Sequence, residues 1–161
     1  MRTLTFDSRG NLTPNSNIKC SLQLFHETFV QNISSTVREE LFNNFQRYFQ
    51  ELTKVLESNF LTIWIDGSYT TKKTNPNDMD VVVFVNYTSV ENFEDKLENF
   101  KFPNSLSKFG IDAYMVKVYP REHKNYHLYI SDEMYWRDLF EKNRRNRRGV
   151  KIPKGFIEIN I

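Results

Sequence analysis

The chain has 161 residues and a formal net charge of +2, with 22 Lys and Arg residues against 20 Asp and Glu residues. This length predicts a single domain over residues 1–161, and the near balance of charge gives no general indication of nucleic acid or a membrane as a partner. The 14 Phe and 8 Tyr residues favour a packed interior and argue against an intrinsically disordered protein.

The N-terminal sequence MRTLTFDSRGNL lacks the apolar stretch of a signal peptide, and no later run approaches the ~20 apolar residues that span a bilayer. The single Cys20 excludes an internal disulfide framework and fits a reducing compartment. We therefore expect a cytoplasmic protein with no membrane partner.

Hydrophobic spacing and turn residues predict interleaved strands and helices. The most regular helix starts at Thr36, where Thr36 to Glu39 form a capping box ahead of an apolar stripe with spacings of three and four residues. The predicted strands cover residues 3–12, ending in a turn at 8–11, then 61–65, 79–85, 110–119 and 155–161. Further helices are predicted over residues 21–30, 91–100 and 132–143, the last capped by Ser131. This pattern predicts an α/β (α+β) domain with a small mixed sheet and helices packed on it.

Two carboxylates flank Met79 at the start of the most apolar predicted strand. Asp78 and Asp80 are separated by one residue, so on a strand both side chains point to the same face. They repel each other unless a cation or a partner charge compensates. Mg²⁺ bound by one or two carboxylates and substrate phosphates is a common solution.

A Gly-Ser pair ends the preceding predicted strand. Gly67 allows the backbone to approach a ligand closely, and a short helix opening at Tyr69 would direct free N–H groups toward phosphate. The Ser68 hydroxyl, with Lys72 or Lys73 from the following loop, adds donors. Together with the carboxylate pair, these residues predict a site for a nucleoside triphosphate.

The segment IDGSYTTKKTNPNDMDVVVFV resembles the signature of the polymerase-beta-like nucleotidyltransferase superfamily. The resemblance implies that Gly67 and Ser68 hold the triphosphate, and that Asp78 and Asp80 bind two divalent ions, Mg²⁺ or Mn²⁺. Asp112 in FGIDAYMVKV matches the third carboxylate, which binds one metal and helps to deprotonate the attacking hydroxyl. The implied reaction moves a nucleoside monophosphate from the triphosphate to an acceptor hydroxyl.

The chain is also similar over nearly its whole length to small, poorly characterised bacterial nucleotidyltransferase-like proteins, through FDxxGNLxP, IDGSYxTxKxxPxDxD and a closing KGFIEI-like strand. This resemblance implies a toxin-antitoxin, mobile-element or phage-defence context. The acceptor stays open among an RNA end, a protein side chain and a small molecule, and RNA or a partner protein is a possible partner. The alternatives are a non-catalytic binding module of the same fold, acting as an antitoxin or regulatory subunit, and an RNA-binding protein.

The basic run from Arg144 to Arg148 is the other candidate for phosphate contacts, with either nucleic acid or the triphosphate. No aromatic residues interleave with this run to stack bases. The sequence therefore slightly favours a solvated surface loop here.

Overall fold

The computed structural model describes residues 3–58 and 60–161. Within these residues the strands are β1 (Thr5–Phe6), β2 (Leu12–Thr13), β3 (Asn17–Lys19), β4 (Thr62–Asp66), β5 (Met79–Asn86), β6 (Ile111–Val118) and β7 (Phe156–Asn160). The α-helices of the same residues are α1 (Leu22–His26), α2 (Thr36–Leu56), α3 (Tyr87–Asn92), α4 (Glu94–Leu97), α5 (Asn104–Phe109) and α6 (Tyr126–Phe140). None of the helices in these ranges is long and apolar enough to cross a bilayer.

Five of the strands form one mixed sheet in the order β3-β7-β4-β5-β6. β4 pairs antiparallel with both β5 and β7, whereas β5 pairs parallel with β6, and β3 pairs parallel with β7. β5 has a neighbour on each side and helices cover both faces of the sheet, which explains its nearly unbroken apolar sequence. The predicted α+β architecture with a mixed sheet is confirmed.

Helix α2 covers one face of the sheet, which we call the α2 face. The helix is amphipathic, and its core side carries a closely spaced set of aromatic and leucine side chains. These buried residues are Leu41, Phe42, Phe45, Tyr48, Phe49, Leu52 and Leu56. They pack on the strand residues that point to the same side, which include Ile63, Ile65, Val81, Val83 and Ala113. The main hydrophobic core therefore lies between α2 and the sheet.

Helix α6 covers the opposite face, which we call the α6 face. Phe140 and the partly buried Trp136 pack there against Trp64 and Val82. This second cluster is smaller than the main core, and it leaves one end of the α6 face to polar residues.

Three helix predictions differ from the structure, one in its cap and two in their boundaries. Helix α2 begins at Thr36 as predicted, but its cap is Ser35, because Ser35 has an extended backbone and its hydroxyl accepts the Arg38 amide. The helix predicted over residues 91–100 is broken at Phe93, which leaves the helical conformation and packs against the main core. Helix α6 begins at Tyr126, so Ser131 lies inside it and does not cap it.

The N-terminal predictions agree more closely with the structure. β1 and β2 form an antiparallel hairpin whose turn contains Gly10 at a positive φ of 82°. The predicted helix over residues 21–30 is α1, capped by Ser21 and continued by a π-helical turn over Glu27–Gln31.

Candidate active site

A row of carboxylates crosses three adjacent strands at one end of the sheet. Asp66, the last residue of β4, pairs in register with Asp80 of β5, and Asp80 pairs in register with Asp112 of β6. Register partners project from the same face, and neighbouring strands lie about 4.8 Å apart. Trp64 and Val82, two residues away along β4 and β5, belong to the α6 face, so the three carboxylates lie on that face as well. We call them the carboxylate row.

Asp78 adds a fourth negative charge to this end of the sheet. It lies one residue before β5 begins and is half-buried. Burial is the main cause of the raised pKa values of Asp80 and Asp112, and the negative charge of Asp78 adds to both. The structure thus places Asp78, Asp80 and Asp112 at the same end of the sheet, although Asp78 itself is not part of the strand.

Asp80 experiences the strongest repulsion in the row. Burial raises the pKa of Asp80 to about 6, and the like charges of Asp78, Asp66 and Asp112 add to this rise, while Arg144 opposes it. Since every acidic neighbour disfavours the ionised form, a bound cation would stabilise this carboxylate.

Gly67 brings the turn after β4 directly against Asp80. Its backbone has φ 79° and ψ −160°, and a Cβ atom built on it would lie 1.7 Å from the Oδ2 atom of Asp80. Only glycine is compatible with both the conformation and the contact. The following residues, Ser68–Thr70, form a 3-10 turn, so the half-buried Ser68 lies beside the carboxylate row.

A buried arginine on α2 holds the loop that follows this turn. The five N–H donors of the Arg38 guanidinium reach carbonyl oxygens of Phe29, Tyr69, Thr71 and Lys73. In return, the Tyr69 hydroxyl donates to the Arg38 carbonyl at 2.9 Å. The sequence analysis missed Arg38, although its spacing of four and seven residues to the buried Phe42 and Phe45 places it on the core side of α2.

A buried ion pair anchors the other end of the row. The Lys154 ammonium donates to the Oδ1 atom of Asp66, and both side chains are almost fully buried. Burial raises the pKa of Asp66 to about 6, and Lys154 and the Gly67 amide oppose this rise. The sequence analysis missed both partners, since they are 88 residues apart in the chain.

The two predicted lysines of the loop do not join the carboxylate row. The Lys72 ammonium lies 5.3 Å from the centre of the Phe6 ring and lines a cavity with Leu24 and Glu27. Lys73 is exposed, and its carbonyl accepts from Arg38. A phosphate-binding role of Lys72 and Lys73 stays a prediction, and the geometry favours Gly67 and Ser68 instead.

The basic run lies close to the carboxylates. Arg144 is exposed, and its positive charge opposes the rise in pKa of both Asp80 and Asp112. Arg145 donates to the Gly149 carbonyl at 3.1 Å, which helps to close the turn of this segment. The fold thus brings a positive segment from the region after α6 to the acidic end of the sheet.

A family model for a family of unknown function, DUF6932, matches residues 4–160. The chain belongs to this family. No curated protein and no solved structure matches the chain. For this DUF6932 member, the chemistry of the site is therefore the basis on which a function can be inferred.

The donor set of this DUF6932 protein fits a hard divalent cation. The Oδ1 atom of Asp112 is buried and has no hydrogen-bond partner in the described structure, and an orphaned carboxylate oxygen is costly without a cation or a donor. The donors of the acidic cluster are all oxygen atoms, as Mg²⁺ and Mn²⁺ prefer. Among residues 3–58 and 60–161, however, no group of three or more His, Cys, Asp or Glu side chains is already arranged to hold an ion. An ion here would therefore depend on substrate phosphates for some of its ligands.

Proposed function

We propose that this protein is a metal-dependent nucleotidyltransferase that moves a nucleoside monophosphate from a triphosphate to an acceptor hydroxyl, with pyrophosphate as the leaving group. The observation that carries the proposal is the register of β4, β5 and β6, which aligns Asp66, Asp80 and Asp112 beneath the turn at Gly67. Phosphoryl transfer with divalent ions requires a place where the backbone lets a phosphate group approach closely, next to several carboxylates that can hold the ions.

In this proposal each residue has a distinct task. The backbone at Gly67 and the Ser68 hydroxyl bind triphosphate oxygens, because a short helical turn begins there. Asp78, Asp80 and Asp112 would hold Mg²⁺ or Mn²⁺, which would supply the positive charge that phosphoryl transfer requires. Asp112, with its unpartnered Oδ1 atom, accepts the proton of the attacking hydroxyl.

Residues outside the row keep the site in position. Arg38 fixes the carbonyls of the loop after Ser68, and Lys154 fixes Asp66, whose carboxylate lies next to the Gly67 amide. Such rigid support lets the turn and the carboxylates keep their geometry when substrate binds. The context that we propose is a cytoplasmic toxin-antitoxin or phage-defence system, by analogy with the resembling proteins.

The direct test is label transfer from each α-³²P nucleoside triphosphate, with Mg²⁺ or Mn²⁺ and with total RNA or cell lysate as the source of acceptors. We expect label transfer by the wild type and a rate of transfer lower by about a hundredfold or more in Asp80→Asn and Asp112→Asn. Replacing a residue that only hydrogen-bonds to a metal ligand already lowers activity by about 10- to 100-fold. Asp132→Asn, which removes an exposed carboxylate on α6, is the matched control and should transfer label normally.

The alternative is a binding module that retains the fold without turnover. Nucleotide binding by calorimetry, without label transfer from any of the four triphosphates, would support that alternative and overturn the enzyme proposal. Full activity of both Asp80→Asn and Asp112→Asn would show that the carboxylate row is not the active site.

A further inference from the structure

A connected strip of aromatic side chains begins beside the carboxylate row. Phe102 and Tyr114 stack with ring centroids 5.9 Å apart, Tyr114 lies 4.6 Å from Trp136, and Trp136 lies 5.3 Å from Tyr135. The four rings come from the loop before α5, from β6 and from α6. We call them the aromatic strip.

The two ends of this strip are open to solvent. Phe102 is 46% exposed and Tyr135 is 61% exposed, while Tyr114 and Trp136 are half-buried between them. Aromatic rings that only stabilise a core are covered by other apolar groups, as those packed around Phe45 are. A contiguous, partly exposed set of rings is a surface suited to stacking with a planar ligand.

The aromatic strip and the basic run lie at the same end of the sheet. Tyr114 follows Asp112 by two residues on the same face of β6. The basic run is closed at its base by a hydrogen bond from the Asn143 amide to the Ile152 carbonyl, and the same segment continues to Lys154, whose ammonium donates to Asp66 in the carboxylate row. A ligand whose reacting end lies at the carboxylate row can therefore contact aromatic rings and arginines at the same time.

We propose that the aromatic strip stacks unpaired bases of a single-stranded RNA while the run Arg144 to Arg148 contacts its phosphates. This inference rests on the proposed function, because it makes the RNA end the acceptor. Every base has a π-face that stacks on an aromatic ring, and exposed arginines compensate the backbone charge. The hydroxyl of Tyr135, at the exposed end of the strip, is suited to hydrogen bonds with 2′-hydroxyl groups, which favours RNA over DNA.

The basic run contains no aromatic residues of its own that could stack bases. The fold instead brings aromatic rings from β6 and α6 to the same end of the sheet. Positive charge and stacking rings, which are separate in sequence, thus meet at one end of the sheet.

The experiment measures fluorescence anisotropy with a labelled 12-nucleotide oligoadenylate RNA and with an abasic oligomer of the same length and charge. Tyr135→Ala should weaken RNA binding at least about fivefold, which is the loss of one stacking contact, and leave binding of the abasic oligomer unchanged. Phe60→Ala, which removes an equally exposed ring at 65% exposure ahead of β4, is the control and should bind both probes like the wild type.

The arginines are tested by salt titration. Replacing Arg144, Arg145, Arg147 and Arg148 with Ala should flatten the salt dependence of the affinity for both probes by the same amount. An unaltered salt slope would overturn the assignment of the phosphate contacts.

The remaining outcomes separate the inference from the proposed function. Equal wild-type affinity for the RNA and the abasic oligomer, or equal losses in Tyr135→Ala and Phe60→Ala, would overturn base stacking. Equal affinity for the RNA and the matching oligodeoxyadenylate would overturn RNA as the occupant. Asp80→Asn should retain RNA binding while losing label transfer, so a failure of catalysis alone leaves the binding result intact.

Discussion

The two faces of the sheet use the same strands in different ways. On the α2 face, alternate strand residues such as Ile63 and Val81 are fully buried under a helix that contributes mainly aromatic and leucine side chains. On the α6 face, the intervening positions carry Trp64 and Val82 but also Asp66 and Asp80. One face is a continuous apolar core, and the other changes from apolar to acidic within two residues of strand.

This difference teaches that the two-residue period of the strands separates apolar packing on one face from clustered charge on the other. Successive strand residues point to opposite faces of the sheet. The residues on the α2 face form the apolar core, while the residues on the α6 face place like charges side by side, which costs folding free energy. The free energy that offsets this cost comes mainly from the larger core. The predictions below test this division, from the largest expected effect to the smallest.

The largest effect should follow from a cavity on the α2 face. Phe45 is fully buried and contacts the rings of Phe25, Phe42 and Phe49. Phe45→Ala should lower the free energy of unfolding by about 3 to 5 kcal/mol. Tyr135→Ala on the α6 face should change it by no more than about 0.5 kcal/mol, since the ring is mainly exposed. Urea denaturation measures both, and similar losses in the two variants would contradict the division.

Breaking the buried ion pair should have the next largest effect. Lys154→Met leaves the Asp66 carboxylate buried without its cation, and we expect a loss of about 3 kcal/mol in unfolding free energy. The double variant with Asp66→Asn should recover most of that loss, because the uncompensated charge is gone. Urea denaturation of both variants is the measurement. If the double variant is as unstable as Lys154→Met, the lysine contributes through packing and not through charge.

Asp80→Asn should change the pH dependence of stability. The pKa of Asp80 is raised from 3.8 to about 6 in the folded protein, so the folded state binds more protons than the unfolded state between these values. The Asp80 carboxyl group therefore makes its full contribution to the free energy of unfolding below about pH 4, and this contribution is lost as pH rises through about 6. Wild type and variant should be about equally stable at pH 4, and the variant should be more stable by about 3 kcal/mol at pH 7, since one unit of pKa corresponds to about 1.4 kcal/mol. Urea midpoints across this range provide the comparison.

The same variant separates charge repulsion from metal binding. With nucleotide present, Mg²⁺ or Mn²⁺ at a hundredfold excess over its dissociation constant should stabilise the wild type by about 2.7 kcal/mol and should not stabilise Asp80→Asn. Thermal melts with and without metal check this. A variant that keeps the full metal-dependent shift would place the ion elsewhere.

The smallest effect concerns the turn beside the row. Ser68→Ala should weaken triphosphate binding by about 1.5 kcal/mol, the value of one hydrogen bond to a charged group, while the fold is retained. Calorimetry measures the affinity, and Thr71→Ala in the same loop is the control, because its hydroxyl is already bonded to the Ser68 carbonyl at 2.8 Å. An unchanged affinity in Ser68→Ala would move the phosphates away from Gly67 and Ser68.

Local sequence patterns were sufficient to predict several of the main strands and the longest helix. The apolar run of β5, the alternation in β7 and the spacing in α2 each predict their element, because side-chain periodicity depends only on local backbone geometry. The helix boundaries were less predictable. Phe93 interrupts the predicted helix and packs against the main core. Helix α6 begins earlier than predicted, and Tyr129 in its first turns packs against the smaller cluster on the α6 face. Contacts with distant parts of the chain thus override local helix preference.

The sequence by itself therefore determined the strands β4 to β7, helix α2, the position of the Gly67-Ser68 pair after β4 and the acidic pair at Asp78 and Asp80, since these depend on neighbours along the chain. It did not predict β3 or α5. Only the tertiary structure decided that Lys154 pairs with Asp66, that Arg38 holds the loop after the turn, and that the aromatic strip begins beside Asp112. The physical reason is that these contacts join residues far apart in the chain. Strand register and helix packing bring these residues into contact, and no local sequence pattern predicts contacts of this kind.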